Sequence, residues 1–210
     1  LVELSVVLVI IGLLISGLLV GRSMVRTAEM QGIIRQVQRF DIAVENFKEM
    51  YGTYPGDAGI YESDGDNDGI IEDDDNLIVE LNDEIGAFWN NLGTSGFGES
   101  YTADSFTLGT GYPKAQMGSS QGGFLAYGVG EINYYQTGIF AETGTDVITV
   151  NANLSAGAAY AVDSKIDDTV ANTGIVQARE GDGAVGLNVA ASAGAAGGAT
   201  CAVTGGAGYN

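Results

Sequence analysis

The residues best suited to chemistry in this chain form the run "DGDNDGIIEDDD" at 64–75. Asp64, Asp66 and Asp68 alternate, Gly69 follows, and an apolar residue, Ile71, comes two further on. A calcium loop of about 12 residues takes oxygens from its positions 1, 3 and 5 and turns sharply at a glycine in position 6. It adds the backbone carbonyl at about position 7 and a carboxylate at about position 12. Counting from Asp64, the carbonyl falls on Ile70, Glu72 takes the ninth place and Asp75 the twelfth. Asp75 is shorter than the glutamate usual there, yet the run can still supply the roughly 6–8 oxygens that calcium prefers. Acidic runs are commonly no more than solvated loops; the alternation closed by Gly69 is what points to an ion. The expected metal set is therefore Asp64, Asp66, Asp68, Ile70, Glu72 and Asp75, with Ca2+ as the cofactor. A flanking helix would start near Leu77 and none precedes Asp64, so this reads as an isolated loop that staples its domain. Asp163, Asp167 and Asp168 form a weaker second group, more readily an acidic cluster at a helix end.

Other chemistries are disfavoured by composition. The chain has no histidine, which removes His-ligated zinc, haem and Ser-His-Asp triads. Cys201 is the single cysteine, so no disulfide forms within these residues. No nucleophile–base pair is evident, and an enzyme is not expected. Asn153–Ser155 matches a glycosylation sequon, a pattern of low specificity.

One further carboxylate is out of place. The segment "LVELSVVLVIIGLLISGLLVG" is uncharged except for Glu3. At about 20 residues and 1.5 Å per residue it can cross a hydrocarbon layer about 30 Å thick. It lacks the basic start and small-residue cleavage site of a secretory signal. A carboxylate in apolar surroundings needs a partner, and residues 1–21 contain no basic residue. The partner must come from outside, from a lipid headgroup or the free α-amine of another copy. The positive end of the helix dipole also favours an anion in the first turn.

These residues need elements to hold them. Beyond the apolar segment, Ile33, Val37, Phe40, Val44, Phe47 and Tyr51 recur at helical spacing, with charges on the other face. The reading is one helix from about residue 2 to residue 51, so that residues 1–52 make a stalk roughly 75 Å long. Gly52 suits a left-handed cap, and Pro55 cannot continue the helix. Residues 57–85 read as acidic loop. Residues 86–153 read as short β-runs, "GGFLAYGVG", "NYYQTGIF" and "DVITVNA", separated by Gly and Asn. A short helix capped by Ser155 follows, and residues 181–210 are rich in Gly and Ala. The expected class is α+β: a long N-terminal helix packed on a C-terminal head with a small antiparallel sheet, Gly-rich loops and the calcium-type loop. The organisation is 1–21 apolar segment, 22–52 amphipathic half of the same helix, and 53–210 acidic head.

Charge follows this division. Residues 1–50 hold five basic and five acidic side chains, so the whole formal charge of −19 falls on residues 51–210. Nucleic acid is not an expected partner of such a surface.

The segment "LVELSVVLVIIGLLISG" resembles the start of a mature type IV pilin or type II secretion pseudopilin. Members begin with an N-methylated Phe, then Thr, then "LxE", so two residues are expected to precede Leu1. The resemblance covers residues 1–55, through the single early glutamate, the long amphipathic helix and the "YPGD" turn; "FWNNL" at 88–92 and "AYAVDSKIDD" at 159–168 are similar to a Gram-negative group of this kind. It implies that Glu3 neutralises the α-amine of the adjacent subunit during assembly. It also implies that a prepilin peptidase removes a basic leader, and that the chain passes from the inner membrane to a cell-surface filament. Three departures stand out: no Pro near the end of the apolar segment, no C-terminal disulfide, and Thr169 where the family has Gly after "KIDD".

The functional expectation is a structural subunit, a major pilin, that polymerises through its N-terminal helix with itself as partner and with the pilus assembly machinery. The alternatives are a pseudopilin of a type II secretion system and a monomeric membrane-anchored calcium-binding surface protein.

Overall fold

A computed structural model describes residues 2–60, 65–71, 84–103, 105–118, 120–129, 132–143, 147–170 and 175. Helix α1, Val2–Tyr51, runs unbroken for 50 residues, through Gly12, Gly17 and Gly21. It stops where local chemistry says it should. Gly52 takes a left-handed φ of +84°, and its N–H donates to the Lys48 carbonyl at 2.8 Å. That bond satisfies one of the last carbonyls of the helix.

α1 has two unlike halves. From residue 3 to residue 29 every side chain is exposed; from Met30 onward one face is buried. Met30, Ile33, Ala43, Val44 and Phe47 belong to the core of the head, with Ile34, Val37, Phe40 and Tyr51 packed against it. The stripe expected from spacing is thus the docking face.

A second helix, α2, spans Glu84–Thr94. This corrects the reading of residues 86–94 as part of a β-rich stretch and of Glu84 as loop. Ile85, Phe88, Trp89 and Leu92 recur at helical spacing and are all buried, so the signal was present. Phe88 and Trp89 meet edge to face at 4.8 Å, and Trp89 meets Phe40 of α1 at 4.6 Å. Such pairs add about 0.5–1.5 kcal/mol beyond their buried area.

Three strands, β1 (Gly123–Val129), β2 (Ile132–Thr143) and β3 (Val147–Asn151), form an antiparallel sheet in the order β1-β2-β3. Gly123 pairs with Gly138 and Val129 with Ile132; Ile139 pairs with Asn151 and Thr143 with Val147. Phe124, Leu125, Ala126 and Tyr127 of β1 are all buried, as befits a strand covered on both faces. The free edge of β1 is capped by residues 113–115, where Phe124 N–H donates to Pro113 O and Ala115 N–H to Gly122 O. Helix α3, Ala156–Ile166, starts at Ser155, whose hydroxyl accepts from Ala158 N–H. Ala158 and Val162 carry it onto the core. Among the described residues the architecture is α+β, a long helix laid against a head with a small antiparallel sheet.

A polar clamp fixes the stalk to the head. Gln36 of α1 is buried; its Nε2 donates to Lys114 O at 2.6 Å and its Oε1 accepts from Gln116 N–H at 3.0 Å. The side chain reproduces the pair of bonds that a neighbouring strand would make.

Candidate functional site

Two features gather chemistry or binding potential: the bare half of α1, and a cluster of carboxylates below the end of that helix.

The bare half begins at the N-terminus of α1. Thirteen large apolar side chains between Leu4 and Val20 keep 46–70% of their surface exposed. They lie all round the helix, so no face is spared. This is the one helix among the described residues that is long and apolar enough to cross a membrane. Glu3 stands exposed in the first turn, where the helix dipole favours a negative group.

The carboxylate cluster is built from three segments. The chain leaving α1 turns at Pro55 and Gly56 and presents Asp57, which is fully buried. The acidic run passes over it at residues 65–71, and α2 begins beside it with Glu84, also buried. One carboxylate oxygen each from Asp57, Asp66 and Glu84 lies within 4.8 Å of the others. The backbones are in close contact. A Cβ at Gly56 would stand 2.2 Å from the Glu84 carbonyl oxygen, and one at Gly65 would stand 2.4 Å from the Asp57 carbonyl oxygen. Only glycine at both places allows this convergence.

Hydrogen bonds hold the run in place. Asp66 N–H donates to Glu84 Oε1 at 3.2 Å, and Asn67 N–H to Asp57 O at 3.2 Å. Asp57 Oδ2 accepts from Gly69 N–H at 3.1 Å and from the Thr53 hydroxyl. Asp68 N–H turns back to Asp66 Oδ1 at 2.9 Å, and Ile70 N–H to Asp68 Oδ1 at 2.7 Å. The run is then seated on the β1–β2 hairpin. Asn133 of β2 accepts from Ile71 N–H and donates to Gly69 O, both at 2.9 Å, and Gly128 N–H of β1 donates to Ile71 O. One atom is left over. Asp57 Oδ1 is buried and, among the described residues, has no hydrogen-bond partner.

The sequence-derived metal set meets this geometry in part. Asp66, Asp68 and Ile70 lie in the described run, while Asp64, Glu72 and Asp75 lie outside the described residues. Asp66 joins the cluster, but its companions are Asp57 and Glu84, neither of them within 64–75. Asp68 serves the turn through its bond to Ile70 N–H. Spacing along the chain could not nominate Asp57. Glu84 could have been noticed as the first-turn acid of the helix marked by Ile85, Phe88, Trp89 and Leu92.

The second acidic group is also assembled. Asp163, Asp167 and Asp168 bring carboxylate oxygens within 4.8 Å of one another at the C-terminus of α3. Its bonds are those of a helix end: Asp167 N–H to Asp163 O, Thr169 N–H to Asp163 Oδ1, and Val170 N–H to Asp168 Oδ1. Thr169, standing where the resemblance led to glycine, adopts a left-handed φ of +68°. A β-branched residue is strained there.

The sequon asparagine serves the interior. Asn153 is buried, and its Nδ2 donates to Thr137 Oγ1 at 2.8 Å and Met117 O at 3.2 Å. The nitrogen that would carry a glycan is engaged inside the fold.

No protein-family model, no curated protein and no solved structure matches this chain.

Proposed function

We propose that this chain is a structural subunit, a major pilin, that polymerises through its N-terminal helix into an extracellular filament of the type IV pilus kind. The observation that carries the reading is the division of α1 at Met30: among the described residues the head buries a face of the helix only from there on, and the apolar side chains before it are exposed. Such a surface must be covered. Before assembly the inner membrane covers it, since the segment matches the hydrocarbon thickness. Outside the membrane only further copies of the same helix are at hand. One repeated head-to-tail contact generates an open helical array that covers every copy except those at the ends.

Glu3 fits this scheme as a register element. It has no basic partner in residues 1–21, and the α-amine of an adjacent copy supplies one as the helices slide together. A prepilin peptidase and the pilus assembly machinery are the partners this reading requires. The heads share a strong negative charge, so salt tightens their packing and low salt loosens it without dissolving the core.

Negative-stain microscopy of sheared cell surfaces tests the proposal. The wild-type chain gives filaments, Glu3→Ala inserts in the membrane but assembles poorly, and a chain starting at Arg22 gives none. Filaments from the shortened chain, or wild-type yield from Glu3→Ala, refute it. Filaments confined to the periplasm indicate a secretion pseudopilus instead, and monomers held in the membrane indicate an anchored surface protein.

A further inference from the structure

We infer that Asp57, Asp66 and Glu84 hold a calcium ion that ties the end of the stalk helix, the acidic run and the start of α2 together. This goes beyond filament formation and stands whether or not the chain polymerises. It also differs from the linear set 64–75, because two of its three carboxylates come from other segments.

The geometry fits one ion. Calcium binds oxygen at about 2.3–2.6 Å, so two ligands on the same ion stand at most about 5 Å apart. The three carboxylate oxygens all lie within 4.8 Å of one another. Three acids at that separation repel each other unless a cation lies between them.

The independent sign is the buried Asp57. Its carboxylate is 0% exposed, and only Oδ2 is satisfied, by Thr53 and Gly69. Among the described residues Oδ1 has no hydrogen-bond partner. A buried carboxylate oxygen without a donor is a costly arrangement that a fold retains for a reason. A cation is the partner that satisfies it and also offsets the charge of Asp66 and Glu84. The remaining oxygens of a calcium shell come from carbonyls of the run and from water, both ordinary ligands for this ion. Magnesium demands a tighter octahedron at about 2.0–2.1 Å and fits a spread of 4.8 Å less well.

The ion would act as a staple. Its ligands are 9 and 18 residues apart along the chain, and each sits on a different segment. Ile71, at the end of the run, is already pinned to the hairpin through Asn133 and Gly128. Binding therefore connects α1, α2 and the sheet through one site, and stabilises the head by mass action.

Calorimetric titration of the full chain in detergent micelles with calcium chloride tests this, alongside thermal melts in calcium and in chelator. The wild type binds calcium and melts higher with it. Asp57→Asn and Glu84→Gln each weaken binding by about tenfold or more, while Asp167→Asn at the α3 end changes it by less than about threefold. Glu84→Gln keeps the side-chain volume and the acceptor for Asp66 N–H, so it decides alone if Asp57→Asn does not fold. Calcium binding by Glu84→Gln as tight as in the wild type overturns the assignment and leaves the ion to the linear run. Absence of calcium uptake by the wild type overturns it as well.

Discussion

Replacing Phe47 with alanine removes a side chain that is 0% exposed, whereas replacing Leu14 removes one that is 67% exposed on the same helix. Both changes raise helix propensity slightly, so propensity does not separate them. Phe47 packs in the core and meets Tyr51 at a ring separation of 4.6 Å. Loss of a buried Phe to Ala costs about 3–5 kcal/mol, the transfer term plus the cavity left behind. For a protein of this size each kcal/mol lowers Tm by roughly 2–4 °C, which places the Phe47→Ala shift at about 6–20 °C. Leu14 lies in the stretch of α1, residues 3–29, whose side chains are all exposed, so Leu14→Ala changes head stability by less than about 0.5 kcal/mol. The assay is a thermal melt of the full chain in micelles followed through the fluorescence of Trp89, which is buried against Phe40. The proposed filament reverses the order: if neighbouring copies cover this half of the helix, Leu14→Ala lowers filament yield while leaving the head melt in place. A Leu14→Ala melt displaced as far as that of Phe47→Ala would falsify the division of α1 at Met30. So would a Phe47→Ala shift of less than about 2 °C.

Two further outcomes follow from local geometry. Thr169→Gly relieves a left-handed β-branched residue and raises stability by about 1 kcal/mol, net of the entropy glycine adds to the unfolded chain; a lower Tm for this variant than for the wild type refutes the strain. Partial desolvation and the neighbouring Glu45 hold Asp41 above its ordinary 3.8, against the pull of a hydrogen bond from Tyr135. The folded state then binds the Asp41 proton more tightly than the unfolded one, so the ionised group costs stability at neutral pH, and that cost fades as pH falls through the folded-state pKa. Asp41→Asn raises Tm at pH 7 by an amount that shrinks toward about pH 4; a gain independent of pH between those limits counts against the mechanism.

Much of the frame was legible in the sequence because it depends on neighbours along the chain. The stripe from Ile33 to Tyr51, the stop at Gly52, the cap at Ser155 and the three β-runs each rest on periodicity or a capping bond spanning a few residues. The helix α2 carried the same kind of mark at Ile85, Phe88, Trp89 and Leu92, obscured by its place between an acidic stretch and a β-rich one. The membrane-length apolar segment and its lone Glu3 were equally plain, being matters of composition. Tertiary structure decided the rest. Where the head begins to cover α1, at Met30, depends on which surface the core presents, and no local pattern marks that point. The partners of Gln36 and Asn153 lie 78 and 36 residues away, at Lys114 and Met117. The carboxylate cluster is the clearest case. Alternation within 64–75 singled out Asp66, but Asp57 and Glu84 reach it only because glycines 56 and 65 let three backbones touch. A sequence records the order of side chains along one chain, whereas the potential at a buried oxygen depends on every charge around it in space.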